Sequence, residues 1–254
     1  MAWPDETTFY YSLLAAWAAA AGVFFAVLLR TPAPYGRFSR PGWGRGVPNR
    51  VAWAVMESPA VVVVAFLFVV GRNKSPECVA FLALWMSHYV YRTIVYPLRM
   101  RSAGKMPSLT VLSAAAFQVV NAYLQGRGLF TILPSRGWQW LTGGRFVLGA
   151  CMFVAGLAVV LHSDSVLRSL RRPGEGAYRI PHGGLFRWVS CPNYLGEMIE
   201  WAGWAVLTWS PAGLAFAVWT AANLVPRALA NHRWYRRQFP DYPPRRKAVL
   251  PWIL

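Results

Sequence analysis

Seven nearly uncharged stretches alternate with polar, basic segments along the 254 residues of this chain. They cover residues 9–29, 51–71, 79–98, 109–124, 146–161, 194–209 and 212–225. Several are shorter than the about 20 residues with which a helix crosses a bilayer, so we expect helix ends to extend into the flanking segments. The pattern predicts an all-α fold, a multi-pass integral membrane protein with a bundle of seven transmembrane helices.

Composition supports a membrane location. Hydrophobic residues make up 56% of the chain and charged residues only 14%, whereas a soluble domain carries about 25% charged residues. The first stretch is predicted to be a helix that stays in the protein, because no basic segment precedes it and its length exceeds that of a signal-peptide core. The lipid bilayer is therefore the first partner that the sequence predicts, and no obligate protein partner is evident.

The basic residues orient the predicted helices. Segments 30–50, 92–105, 168–187 and 227–247 carry 21 of the 26 Lys and Arg residues, and these four segments fall on the same side of a seven-helix bundle. The positive-inside rule then places the N-terminus outside and the C-terminus in the cytoplasm. The net charge of +17 is expected to face anionic headgroups and an anionic ligand. Nucleic acid is not expected, since the arginines flank membrane spans and form no separate basic module.

Cysteine and histidine give no sign of a metal site. Cys78, Cys151 and Cys191 lack metal-ligand spacing, so we expect them to be packing residues. No H-E-x-x-H occurs, and no metal is predicted. Arginine outnumbers lysine 23 to 3, which is typical of a GC-rich bacterial genome. The expected location is the cytoplasmic membrane in a bacterium, or the endoplasmic reticulum membrane in a eukaryote.

A few polar side chains lie inside the apolar stretches at similar depth. At a rise of 1.5 Å per residue, Glu57 lies about 9 Å and Tyr89 about 13 Å from the cytoplasmic face, and Glu197 lies about four residues into its helix. Tyr89, Arg92 and Tyr96 share a face by their spacing. A tyrosine here can be an aromatic-belt residue, and Glu197 and Glu200 can pair with arginines to fix helix packing. The alternative is a site, because intramembrane carboxyls are costly and usually functional.

The segment between the fifth and sixth stretches suits phosphate groups. Arg168, Arg171, Arg172 and Arg179 are interleaved with Gly174, Gly176, Gly183 and Gly184. Guanidinium groups bind phosphates with paired hydrogen bonds, and glycine permits close backbone approach. Binding of lipid headgroups is the alternative. Neither G-x-G-x-x-G after a strand nor G-x-x-x-x-G-K-[ST] occurs, so any nucleotide would be bound in a membrane-embedded way.

With these residues in view, the chain resembles the steroid 5α-reductase family, the 3-oxo-5α-steroid 4-dehydrogenases. The resemblance spans nearly the whole length and is densest in LHSDSVLRSLRRPGEGAYRIPHGGLF, NYLGEMIEWAGWA and HRWYRRQFPDYPPRRKAVLPWIL. It continues upstream in MESPA, which contains Glu57, and in HYVYRTIVYP, which contains Tyr89. It is therefore more than a shared cofactor module.

The resemblance implies one membrane-embedded reductase domain over residues 1–254, with a steroid pocket mainly from the N-terminal half and an NADPH site mainly from 160–254. Glu57 and Tyr89 would hold the steroid 3-keto oxygen. The implied cofactor residues are Tyr35, Arg92, Asp164, Arg168, Arg171, Tyr178, Arg179, Asn193, Glu197, Arg227, Asn231 and Tyr235. Val160 and Asn231 depart from the family, which carries Asn and His there, and Val160 cannot replace the lost hydrogen bond.

The chemistry agrees with the residues. A 3-keto-4-ene accepts hydride at C5 when two preorganised donors stabilise the charge developing on the carbonyl oxygen. Tyr89 can donate, and Glu57 can donate if burial keeps it protonated. Two enzyme alternatives share the NYLGE segment, a sterol-ring reductase and an isoprenylcysteine-type methyltransferase using S-adenosylmethionine. A transporter-like or receptor-like bundle is a third alternative, without NADPH dependence. The natural steroid is not identified by the sequence.

Overall fold

Seven helical rods make up most of the described part of the chain. The structure is a computed structural model that describes residues 5–101, 104–170 and 178–254. The helices are α1 Glu6–Arg30, α2 Asn49–Val70, α3 Pro76–Val90, α4 Tyr96–Arg99, α5 Ser108–Arg127, α6 Gly144–Ser169, α7 Pro192–Thr208 and α8 Pro211–Gln238. A π turn, Tyr91–Val95, joins α3 to α4 in one rod. Two short strands, β1 Gly46–Pro48 and β2 Lys105–Pro107, pair antiparallel with Val47 opposite Met106.

Each of the seven predicted stretches lies within one rod to within a residue, and α6 and α8 extend well beyond theirs. The stretch 146–161 belongs to α6, which has 26 residues, and 212–225 belongs to α8, which has 28. Five rods are long and apolar enough to cross a membrane; in the described residues α5 and α7 are not among them. α7 has only 17 residues, and α5 buries the polar side chains of Gln118, Asn121 and Gln125. The fold is therefore mostly helical and of the integral membrane type.

Contacts between loops join the rods at two ends of the bundle. At one end β1 pairs with β2, and Val189 forms a parallel bridge with Lys247 near the C-terminus. At the other end the backbone N–H of Asn73 donates to Phe130, and Arg127 pairs with Glu6 of α1. Chain segments that the sequence predicts to lie on the same side of the membrane are thus in contact with each other.

α6 and α7 approach until their backbones touch. A Cβ on Gly156 would lie 2.4 Å from the backbone nitrogen of Glu200, and one on Gly149 would lie 2.5 Å from that of Leu207. Gly196 and Gly203 face them from α7 with similar clearances. Glycine is required at these positions because any side chain would push the helices apart. The pair forms a rigid wall along one side of the aromatic core.

The aromatic core lies where α3, α7 and α8 meet. Trp85 stacks at 4.5 Å between ring centroids on Tyr89 and at 5.5 Å on Trp201, and Trp201 packs at 4.5 Å on Phe216 of α8. Such rings supply a large buried apolar area. The polar side chains described below are embedded in this apolar surrounding.

The structure corrects one expectation about the cysteines. Cys78 and Cys191 are buried, as expected of packing residues, but Cys151 is exposed on the surface of α6. Its position on an apolar helix explains the error, because a lipid-facing position and a core position carry the same kind of side chain.

Candidate active site

One arginine and three carboxyl groups meet inside the bundle. The guanidinium of Arg92 lies 3.9 Å from Glu57 Oε1, 3.6 Å from Asp164 Oδ2 and 3.7 Å from Glu197 Oε1. The three acids come from α2, α6 and α7, so the arginine connects three helices. Burying a cation is expensive unless opposite charges surround it. The sequence places Glu57, Tyr89 and Glu197 at depths where they can meet, and Glu57 and Glu197 do lie beside the same guanidinium.

The π turn determines where Arg92 points. Its hydrogen bond runs from the Tyr96 backbone N–H to the carbonyl of Tyr91, so the turn contains one residue more than an α-helical turn. Such single turns often occur at functional sites. The guanidinium packs over the rings of Trp53 at 4.4 Å and Tyr96 at 4.9 Å. The two rings thus cover part of the cation.

Glu57 and Tyr89 are connected through a glutamine. Gln118 Nε2 donates to Glu57 Oε2 at 2.8 Å, and the Tyr89 hydroxyl donates to Gln118 Oε1 at 3.4 Å. All three side chains are buried. The sequence analysis did not single out Gln118, although its spacing with Asn121 and Gln125 marks a polar stripe on an otherwise apolar helix. The amide holds the two predicted catalytic side chains side by side.

Glu200 pairs with a histidine. His88 Nδ1 and Glu200 Oε1 are 2.8 Å apart, and both residues are buried. The suggestion that Glu200 pairs with an arginine is wrong, because Arg92 lies one turn away and binds Glu197 instead. His88 had been assigned no role, although it precedes Tyr89 and lies four residues before Arg92 on the same face.

A second polar group lies further along α7 and α8. Arg227 Nη2 donates to the Tyr194 hydroxyl at 3.3 Å, and Asn231 Nδ2 donates to the same oxygen at 3.4 Å. The Arg227 guanidinium also lies over the Tyr35 ring at 4.7 Å. The segment after α1 therefore meets the C-terminal half of α8, as the implied cofactor roles of Tyr35, Arg227 and Asn231 require.

A third group surrounds Arg37, which the sequence analysis did not select. Its guanidinium lies 4.5 Å from the ring centroid of Tyr178, 4.2 Å from that of Trp234 and 4.7 Å from that of Tyr235. Its Nη2 donates to the Tyr235 hydroxyl at 3.5 Å. Its Nη1 is buried, and nothing in the described residues accepts a hydrogen bond from it. The sequence does contain a signal for Arg37, since it lies two residues after Tyr35, which is one of the implied cofactor residues.

The remaining predicted cofactor residues lie at the edges of these groups. Asn193 is half-buried in the first turn of α7, Arg179 is exposed, and Arg168 donates to Ser165 at 3.1 Å. Arg171, like Arg172, lies outside the described residues. Val160 is fully buried, where α6 meets the backbone of Gly196. Its apolar side chain therefore leaves no unpaired polar atom.

The groups around Arg227 and Arg37 fit a phosphate-bearing ligand. Within 5–101, 104–170 and 178–254, neither Arg37 nor Arg227 has a carboxylate within 4.0 Å. Partly buried guanidinium groups favour an anion with several oxygens. Arg227, Asn231 and Tyr235 recur every four residues on α8, a line of about 12 Å. A dinucleotide phosphate has the charge and the extension to lie along it.

Comparisons with known proteins identify the family of the chain. A family model described as 3-oxo-5-alpha-steroid 4-dehydrogenase matches residues 104–254. Steroid 5-alpha-reductase DET2 of Arabidopsis thaliana is 43% identical over 261 residues and covers 98% of each chain. The 3-oxo-5-alpha-steroid 4-dehydrogenase 1 of Bos taurus is 40% identical over 243 residues, with 92% of this chain and 93% of the relative covered. The human protein of that name is 38% identical over 233 residues, with 90% and 89% covered. The similarity therefore includes the half of the chain that contains Glu57 and Tyr89.

Proposed function

The chain belongs to the 3-oxo-5-alpha-steroid 4-dehydrogenase family, and on that premise we propose that it reduces the 4,5 double bond of 3-keto-4-ene steroids to 5α-3-ketosteroids. Membership makes it an oxidoreductase. The observation that carries the proposal is the contact of Glu57 and Tyr89 through Gln118, within the Arg92 cluster. Two donors at one buried point match the needs of a 3-keto oxygen.

Glu57 and Tyr89 stabilise the charge that develops on the 3-keto oxygen. The Tyr89 hydroxyl donates to this oxygen in place of its long bond to Gln118. Glu57 donates through a protonated carboxyl, and the Arg92 cluster supports this state because it holds three carboxyl groups for one cation. Gln118 keeps Glu57 in position by its 2.8 Å bond. The apolar surroundings keep water away and strengthen both hydrogen bonds.

NADPH is the proposed cofactor. Bound there, it supplies the hydride that C5 of the steroid accepts. The residues proposed to hold it are Tyr35, Arg92, Asp164, Arg168, Arg171, Tyr178, Arg179, Asn193, Glu197, Arg227, Asn231 and Tyr235. Arg37 is added to them, because its buried Nη1 lacks a partner in the described residues and its guanidinium rests on Tyr178 and Tyr235. NADPH carries a 2′-phosphate that NADH lacks, and this group is one more anion for these arginines to bind.

The proposed topology has seven spans, with the N-terminus outside and the C-terminus in the cytoplasm. The loop contacts at the two ends of the bundle support it, since they join the segments that this topology places on one side. α7 and α5 then cross the bilayer inside the bundle, where neighbouring helices shield their short length or polar face. The chain forms one domain, with the steroid pocket mainly in its N-terminal half and NADPH mainly bound by 160–254. The location is the cytoplasmic membrane in a bacterium, or the endoplasmic reticulum membrane in a eukaryote.

A product analysis tests the proposal. Purified protein is incubated with 3-keto-4-ene steroids and NADPH that carries deuterium at the transferring C4 position. We expect a 5α-3-ketosteroid with the label at C5 on the α face, and with a solvent hydrogen at C4. A 5β product, cofactor label at C4, or an alcohol with the alkene intact would reject the assigned geometry. Turnover with S-adenosylmethionine instead would assign the chain to the methyltransferase alternative.

A further inference from the structure

Two polar contacts connect the α3 rod to α7, one helical turn apart. His88 pairs with Glu200 at 2.8 Å, and Arg92 pairs with Glu197 at 3.7 Å. From the first contact to the second, the residue on the α3 rod moves four positions forward and the residue on α7 moves three positions back. This is the spacing of two neighbouring contacts between antiparallel helices. The contact of Arg92 with Glu197 belongs to the site described above. The contact of His88 with Glu200 has no part in the proposed chemistry.

Most other contacts between these helices are made by large rings. His88 packs on Trp201 at 4.7 Å, and Tyr89 packs on Trp201 at 5.6 Å. Ring contacts are individually weak and tolerate displacement. A hydrogen-bonded pair does not, because a slide by one turn would leave a buried imidazole and a buried carboxylate without partners. Buried polar pairs are best known for selecting one register among several.

Glu200 is well placed to define that register. Its backbone nitrogen would lie 2.4 Å from a Cβ on Gly156, at the point where α6 and α7 touch. The Glu200 carboxyl is therefore attached to a backbone segment that the contact with α6 holds in place. On the other side of the pair, His88 directly precedes Tyr89, whose hydroxyl reaches towards Glu57 through Gln118.

We propose that His88 and Glu200 are a positioning pair, which sets the axial register of α3 against α7 and thereby brings the Tyr89 hydroxyl beside Glu57. Neither residue touches the substrate. The inference rests on the proposed function for its kinetic readout. It adds to that function a reason why the two helices carrying Tyr89 and Glu197 stay aligned.

The experiment replaces the pair by apolar residues of similar size, His88→Leu with Glu200→Met. Such replacements of buried ion pairs are often neutral for stability, so we expect an unchanged melting temperature. We expect kcat to fall at least tenfold, the Kd of NADPH to stay within twofold, and the near-ultraviolet circular dichroism of the tryptophans to change. Glu200→Gln keeps an acceptor for His88 Nδ1 and should retain kcat within threefold.

Gln125→Met is the matched control. Gln125 accepts a hydrogen bond from Trp204 Nε1 at 2.9 Å and joins α5 to α7 away from the site, so its loss should leave kcat intact. Wild-type kcat in the double apolar variant would overturn the proposal, as would a tenfold loss of kcat in Glu200→Gln. If the double variant does not fold, Glu200→Gln alone decides. A wild type inactive on every steroid would defeat the proposed function, and the dichroism change would then test the register separately.

Discussion

Removing the Tyr89 hydroxyl separates catalysis from folding. In the structure this hydroxyl donates to Gln118 over 3.4 Å, longer than the about 2.7–2.8 Å of an ordinary O–H···O bond. Tyr89→Phe should therefore cost no more than about 1 kcal/mol of stability. Loss of one oxyanion donor costs about 10² to 10³ in kcat, or about 2.7–4 kcal/mol. The catalytic effect should exceed the effect on stability several-fold.

The assay compares kcat at saturating NADPH, the Kd of NADPH from fluorescence quenching, and the melting temperature. The control is Tyr10→Phe, which removes another buried hydroxyl, one that donates to the Leu124 carbonyl at 3.0 Å. Tyr10 lies at the outer end of α1, so this variant should lose stability and keep kcat. A Tyr89→Phe enzyme with more than a third of wild-type kcat would refute the role of Tyr89. So would an equal loss in both variants.

Three more outcomes are expected. Arg227→Ala should raise the Kd of NADPH about tenfold or more, as for a lost charge-assisted contact, with little change in the KM of the steroid; an unchanged Kd in a binding titration would contradict this. Gly156→Ala places a Cβ 2.4 Å from backbone of α7, whereas Gly22→Ala meets nothing within 4 Å, so only the first should lower the melting temperature. Burial raises the pKa of the Cys191 thiol to about 12, so a maleimide at pH 8 should spare Cys191 in the folded protein and label it after unfolding, and labelling of folded Cys191 should speed up about tenfold per pH unit. Rapid labelling of Cys191 at pH 8 would show that it is not buried.

The sequence predicts the rods well because a membrane span leaves a strong local signal. An apolar stretch needs no knowledge of its neighbours, and the run at 146–161 identifies α6 without any tertiary information. Depth is equally local, since it follows from counting residues at a fixed rise. For this reason Glu57, Tyr89 and Glu197 could be placed at similar depths before any contact was known.

Contacts between side chains on different helices could not be predicted in this way. Gln118 and His88 bind Glu57 and Glu200, which lie 61 and 112 positions away in the chain. Nothing in local periodicity identifies such a partner. Arg37 was missed because its aromatic surroundings come from two other segments. The π turn was missed because one additional residue in a helical turn leaves the apolar pattern almost unchanged.

The contact between the backbones of α6 and α7 has a consequence for access to the candidate site around Arg92. Helices without a side-chain layer between them have no room to shear or to hinge apart, so any ligand of this site must pass another boundary. Elsewhere α1 packs on α8, with the rings of Trp17 and Phe24 4.8 Å and 5.4 Å from the Trp219 ring, and the segment after α1 is held by Arg37 against three rings. Cation–π contacts are worth about 0.5–1 kcal/mol each at exposed sites. If NADPH binds as proposed, the segment around Arg37 is the boundary that opens for its loading and release, because the contacts of Arg37 are of this weak kind.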